Sequence, residues 1–240
     1  MKKALLLSFA ALSVLAACTR AEKTSPDVRT FGLIGNVEEV RYSLTVTSVD
    51  QDTEDPLLAR DEVALRFDEL GRVTLDDYGN YYEYDENGNY AGLYSDYIKV
   101  TRDASGRLKS FDNTSIPEEN FDDFDVMDYC SVTYDYDATG RVVTETYAGW
   151  EWGTVTTYTY DGDKPWPSKI TQNSYDEGYN ENSDITFKYL EFDDRGNWTK
   201  RASTIVTESY EEGAEDEKES YTQEKLETRS ISYWSESDQK

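Results

Sequence analysis

Three tryptophans stand where a flat ring could meet a ligand. Trp150 and Trp152 are flanked by Gly149 and Gly153, and Trp166 lies between Pro165 and Pro167. Rings held at turns offer an apolar face on which a sugar can stack. The competing reading is that Trp150 and Trp152, which strand alternation places on one face, fold over a sheet edge as core. Carboxylates are the other abundant chemistry, with 50 Asp and Glu against 24 Lys and Arg. A pair could serve a glycosidase, but in such a chain pairs arise by chance. Calcium is a further candidate at Asp122, Asp123, Asp125 and Asp128, or at Asp176, Asn180, Asn182 and Asp184. Neither set has the spacing of a calcium loop. Both read as solvated loops, and no metal or cofactor is assigned.

The absences narrow the chemistry further. There is no histidine, which excludes His-based acid-base catalysis, His zinc sites and Ser-His-Asp or Cys-His nucleophile systems. Only Cys18 and Cys130 are present. Cys130, beside Tyr129 in a strand-like run, reads as a small buried residue. No phosphate-cradling glycine loop or nucleophile elbow occurs, and the chain reads as non-enzymatic. A net charge of -26 argues against nucleic acid or anionic lipid head groups as partners.

The elements that must position these residues are written in the stretch Val132 to Glu145. Val132, Tyr134 and Tyr136 alternate with Thr133 and Asp135, the period of a half-buried strand. Asp137-Ala-Thr-Gly140 follows, where Asp can accept a backbone N–H two residues on and Gly supplies the left-handed conformation that closes a turn. Arg141 and Val142 start the return strand. The same punctuation recurs at Asp68 to Gly71, Asp85 to Gly88, Asp103 to Gly106 and Asp193 to Gly196, with a degenerate copy at Asp161. The aspartates are spaced by 17, 18, 34, 24 and 32 residues, which fixes a strand-turn-strand unit with insertions.

One hairpin is marginal in water, so the units must pair into a sheet. The positions expected on its buried face are Leu65 and Phe67, Tyr82 and Tyr84, Val100 and Arg102, Tyr134 and Tyr136, Tyr158 and Tyr160, and Leu190 and Phe192. Val73, Tyr90, Leu108, Val142 and Trp198, two residues beyond each Gly, join them. With 20 tyrosines, a thin sheet can cover itself with aromatic ladders whose hydroxyls stay wet. The expected fold is all-β, an antiparallel meander of repeated hairpins forming a curved sheet or open barrel.

The signature aromatic-Asp-x-x-Gly-Arg/Asn-apolar resembles the YD (RHS-type) repeat over residues 31 to 233. Phe192-Asp-Asp-Arg-Gly-Asn-Trp-Thr-Lys-Arg201 is similar to the last repeat of small repeat lipoproteins from Gram-negative anaerobes. The resemblance implies a β-hairpin repeat fold and is nearly silent on function, since such repeats occur in toxin-enclosing shells, adhesins and lipoproteins. At 240 residues this chain is too short to enclose a cargo domain.

Residues 1–17, a Met-Lys-Lys start and an apolar run ending in Leu15-Ala-Ala-Cys18, read as a signal peptide. The ending resembles a bacterial lipobox, which implies lipidation of Cys18. Thr19 at the next position, in place of Asp, points to the outer membrane. Residues 18–30 read as the lipidated Cys and a flexible tether, 31–234 as one β-repeat domain, and 235–240 as a polar tail. Within the domain, 112–128 and 172–184 read as insertion loops, and 208–224 as either a long hairpin tip or a stretch holding a short helix through Glu224-Lys225-Leu226. The expectation is a lipid-anchored envelope protein, periplasmic or on the cell surface, acting as a structural or binding module. Its partners would be the membrane, through the lipid, and a glycan or another envelope protein. A polysaccharide-binding accessory lipoprotein is the alternative, and a carboxylate-dependent glycoside-active enzyme comes third.

Overall fold

The computed structural model describes residues 24–49, 61–76, 79–92, 95–115, 130–149, 151–214 and 217–235. The expected signal peptide, Cys18, Trp150 and the acidic set 122–128 lie outside them. Among the described residues a short helix α1 (Pro26–Thr30) precedes twelve strands: β1 (Val37–Val49), β2 (Asp61–Phe67), β3 (Val73–Leu75), β4 (Lys99–Arg102), β5 (Leu108–Asp112) and β6 (Ser131–Tyr136). There follow β7 (Val142–Ala148), β8 (Trp152–Thr159), β9 (Lys169–Asp176), β10 (Tyr179–Phe192), β11 (Trp198–Glu211) and β12 (Glu219–Tyr233).

All twelve form one antiparallel sheet in the order β3-β2-β1-β12-β11-β10-β9-β8-β7-β6-β5-β4. From β4 to β12 it is an unbroken meander. The chain's first strand then pairs with its last, from Val37 opposite Tyr233 to Val49 opposite Gln223. The C-terminal strand is thereby interior to the sheet, and the two edges, β3 and β4, are neighbours in sequence. Between them a small hairpin, bridged at Leu75 to Tyr81 and at Tyr84 to Tyr90, extends the β3 edge. The sheet curves but does not close into a barrel. Its two ends face a common core of Val40, Leu65, Phe67, Val73, Leu108, Phe111, Val132, Tyr134 and Val142.

The repeated turns explain the sequence signature atom by atom. Asp137 Oδ1 accepts the backbone N–H of Thr139 at 2.8 Å and of Arg141 at 3.0 Å, while Oδ2 accepts Arg141 Nε at 2.8 Å. Asp68 and Asp103 repeat this clamp on Arg72 and Arg107. Asp85 makes it with Asn89, and Asp193 takes the N–H groups of Arg195 and Asn197. The closing Gly71, Gly88, Gly106, Gly140 and Gly196 have φ between 74° and 89°, where a Cβ is strained. Asp161 differs, because its carboxylate clamps no such turn and its loop is held instead by Arg141.

The tyrosines join one unit to the next. Tyr84 Oη donates to Val73 O at 2.8 Å, Tyr136 Oη to Leu108 O at 2.5 Å and Tyr160 Oη to Val142 O at 2.7 Å. In each case the acceptor lies two residues beyond the preceding Gly. The Arg following that Gly stacks on the same ring in all three, with Arg107 over Tyr136 at 4.1 Å and Arg141 over Tyr160 at 4.4 Å. Arg72 covers Tyr84 at 4.5 Å in the third. The Tyr-Asp and Gly-Arg-apolar halves of the signature are thus the two sides of one joint.

Residues 24–30, expected in the flexible tether, are instead packed against this end of the sheet. Ser25 caps α1 by accepting the Val28 N–H at 3.1 Å, and Pro26 suits its first turn. Val28 is wholly buried in the core. Ser25 Oγ donates to Gly71 O at 2.6 Å, Thr30 Oγ1 pairs with Tyr136 Oη at 2.9 Å, and Asn197 brackets Ile34 through both its N–H and its carbonyl. The segment crosses several repeat turns and ties them together.

Two other expectations are corrected, and of the two readings of residues 208–224 the hairpin is the one found. Residues 172–184 are not an insertion loop but the hairpin of β9 and β10, turned at Glu177 (φ 43°) and Gly178 (φ 87°). Two consecutive positive φ values match the twist of the flanking strands. Residues 208–224 belong to the β11–β12 hairpin, and Glu224 to Leu226 lie in strand, with no helix there. Leu190 and Phe192 are exposed rather than buried, because the β10–β11 register shifts on both sides of Glu191 and turns them outward. The structure also reveals a repeat turn that sequence reading passed over. Asp76 accepts the Asn80 N–H at 2.8 Å, with Gly79 at φ 84°, and receives Tyr82 Oη at 2.7 Å.

Candidate ligand site at the Trp166 loop

The loop from β8 to β9 carries Trp166. Two prolines restrict its backbone. Arg141 Nη1 donates to Gly162 O at 2.5 Å and to Lys164 O at 3.1 Å, and Tyr189 Oη donates to Pro167 O at 2.6 Å. The loop is therefore fixed from both flanking hairpins. The Trp166 ring lies 5.7 Å from Tyr189 and 5.0 Å from Phe192, centroid to centroid. Beside it is an open cleft of about 370 Å³ lined by Asp161, Lys164, Trp166, Ser168, Phe187, Tyr189 and Phe192. Four rings with a rim of one cation, one carboxylate and one hydroxyl make a surface on which a polar ring can stack and be hydrogen-bonded at its edge.

Trp166 also borders a second cavity, of about 180 Å³, on the core side. Tyr42, Glu145, Tyr158, Trp198, Arg201 and Arg229 are among its lining residues. Arg201 is paired with Glu227 through Nε at 2.7 Å and Nη2 at 2.8 Å, and its guanidinium lies 4.0 Å over Phe187. Glu145 Oε2 accepts Tyr158 Oη at 2.9 Å. Burial pushes the Tyr189 hydroxyl up to about 12 against the opposing charge of Arg201, so it stays a hydrogen-bond donor at neutral pH.

Trp152 is not part of this site. It stands at the opposite end of β8, roughly 25 Å along the strand, where it packs 4.5 Å from Tyr147 against the core. Of the stacking residues proposed from sequence, Trp152 and Trp166 are therefore not brought together. Of the second calcium set, Asp176 ends β9, while Asn180, Asn182 and Asp184 alternate along β10, where Asp184 binds Lys169 and Thr171. Among the described residues no three acidic or thiol side chains gather as a metal site would need. Cys130 is buried in the core.

Sequence reading missed Phe187, Tyr189, Arg201 and Arg229, and assigned Phe192 to the core. The alternation Phe187-Lys188-Tyr189 was a visible signal, but nothing in sequence places those rings beside a loop twenty residues upstream. No family model, curated protein or solved structure matches the chain.

Proposed function

We propose that this chain is a non-catalytic binding module of the bacterial cell envelope, built from YD-type repeats and anchored through a lipid on Cys18 at the outer membrane. The cleft beside Trp166 is its binding surface, and carbohydrate is its ligand class. The observation that carries this reading is the grouping of Trp166 with Tyr189 and Phe192, the last of these 46% exposed. A large ring left in water beside two others is unusual for a side chain serving only as core. The lack of histidine and of any activated nucleophile pattern favours binding over catalysis. The net charge of -26 favours neutral glycans over nucleic acid.

The test is thermal unfolding of the full chain across neutral bacterial, plant and host polysaccharides, repeated with Trp166→Ala. A ligand at a hundred times its Kd adds about 2.7 kcal/mol of stability. A rise in Tm with one glycan class that disappears in the variant supports the reading. Absence of a rise with every glycan would leave a scaffold whose partner is another envelope protein.

A further inference from the structure

Arg229, on β12, is only 6% exposed, yet no carboxylate among the described residues pairs with it. Its Nε donates to Trp198 O at 2.6 Å and its Nη1 to Tyr42 Oη at 3.4 Å, while Nη2 has no partner. The guanidinium lies 3.8 Å over the Trp198 ring. Arg201, in the same wall of the core-side cavity, is neutralised by Glu227 and leaves Arg229 as the uncompensated cation. Burying a charge with an open donor is unfavourable unless something occupies that donor.

We propose that the cavity of about 180 Å³ bordered by Arg229 is a binding site for a small organic monocarboxylate. The carboxylate pairs with the Arg229 guanidinium where it borders the cavity, and the body of the ligand lies among Tyr42, Tyr158 and Trp198. The size fits, since a cavity of about 150 Å³ holds one benzene ring. The charge fits a monoanion: one guanidinium is unpaired, and the Glu145 carboxylate in the same lining opposes a second negative charge. The aromatic lining favours a ligand with an apolar body over an inorganic anion. This inference does not rest on the carbohydrate reading, because the cavity is on the core side of Trp166 and benzoate, which is not a sugar, is one of its probes.

Calorimetric titration of the full chain tests it, with benzoate, D-glucuronate, benzyl alcohol and inorganic phosphate. Binding of benzoate or glucuronate is expected, with benzyl alcohol and phosphate at least tenfold weaker. Arg229→Gln is expected to weaken the bound acid at least tenfold, and Arg229→Lys, which keeps the charge but loses the planar fork, to weaken it by a smaller factor. Should Arg229→Gln fail to fold, the Lys variant and the parent chain's preference for acid over alcohol decide the matter. The inference is overturned if neither acid binds at millimolar concentration, if alcohol or phosphate binds as tightly as the acids, or if the folded variants bind like the parent.

Discussion

The carboxylate of Asp27 grips the guanidinium of Arg102 at both ends, Oδ1 to Nη1 at 2.5 Å and Oδ2 to Nη2 at 2.8 Å. The same Oδ2 accepts the Val73 N–H at 3.0 Å. Val73 begins β3 and Arg102 ends β4, so one side chain of α1 spans the two edges at which the sheet fails to close. Asp27 is 2% exposed, and breaking a buried pair leaves its partner's charge uncompensated. Asp27→Ala is expected to cost about 3 kcal/mol, the low end for buried pairs because Arg102 is partly wet. Urea unfolding monitored by circular dichroism checks this; a loss below about 1 kcal/mol would mean that apolar packing alone joins the edges.

The turn aspartates should not be equivalent. Asp137→Ala removes four accepted hydrogen bonds and is expected to cost about 1–2 kcal/mol, discounted for partial exposure. Asp161→Ala removes no such clamp and is expected to lie within about 0.5 kcal/mol of the parent. Chemical denaturation of the two variants side by side is the measurement. Equal losses would contradict the assignment of the clamp as the source of turn stability.

Acid should unpick these turns. Burial raises the Asp137 carboxyl, but the hydrogen bonds from Arg141 and Thr139 outweigh it and hold the group well below the usual range. Asp103 is lowered in the same way against burial, and Asp85 chiefly by Asn89. A depressed folded pKa means that the unfolded chain protonates first as pH falls. The stabilisation is therefore complete above the unfolded value of about 3.9 and is lost below it, through the folded values. Melting curves between pH 6 and pH 2 are expected to be flat down to about pH 4.5 and then to fall steeply.

Alkali acts on the joints between repeats. Burial pushes the Tyr136 hydroxyl up to about 12, with the bond to Thr30 lowering it in part, and Tyr189 rises to about 12 for the same main reason. Here the folded pKa lies above the unfolded one, so stability is fully present below about pH 10 and is lost as pH rises through 12. Phenolate absorbance is expected to appear in two phases, exposed tyrosines first and the joint tyrosines together with unfolding. A single phase near pH 10 would contradict the burial of these hydroxyls.

The joint itself can be measured at Tyr160, whose hydroxyl meets Val142 O and whose ring lies under Arg141. Tyr160→Phe keeps the ring and loses one hydrogen bond, an expected loss of about 1 kcal/mol. In a double-mutant cycle with Arg141→Ala, a coupling near zero would show that the stacked pair is incidental.

The hairpin repeat was legible because its turn is local chemistry: Asp, Gly and the residue after Gly lie within five positions, and the Asp clamp is made within them. Alternation likewise marked Leu65, Phe67, Tyr134 and Val142 as core, since a period of two needs no tertiary knowledge. Leu190 and Phe192 escaped because a register shift at Glu191 reverses facing without any mark in composition. Residues 24–30 looked like a tether because only one apolar side chain, Val28, anchors them, while their other ties are polar bonds to residues such as Gly71 and Arg102 far along the chain. The candidate site was the least legible part. Trp166 could be singled out, but its companions come from β10, β11 and β12, and the open valence of Arg229 depends on Arg201 having taken Glu227.

Because each tyrosine joint uses only the tail of one unit and the head of the next, a hairpin with matching ends could be copied into or excised from the middle of the chain and still find its neighbours. Such a change in length would alter the girth of the curved sheet and the reach of the Trp166 loop without requiring any new contact to evolve. The segment spanning Asp27 would be the part that limits it, being cut to the width of one particular gap.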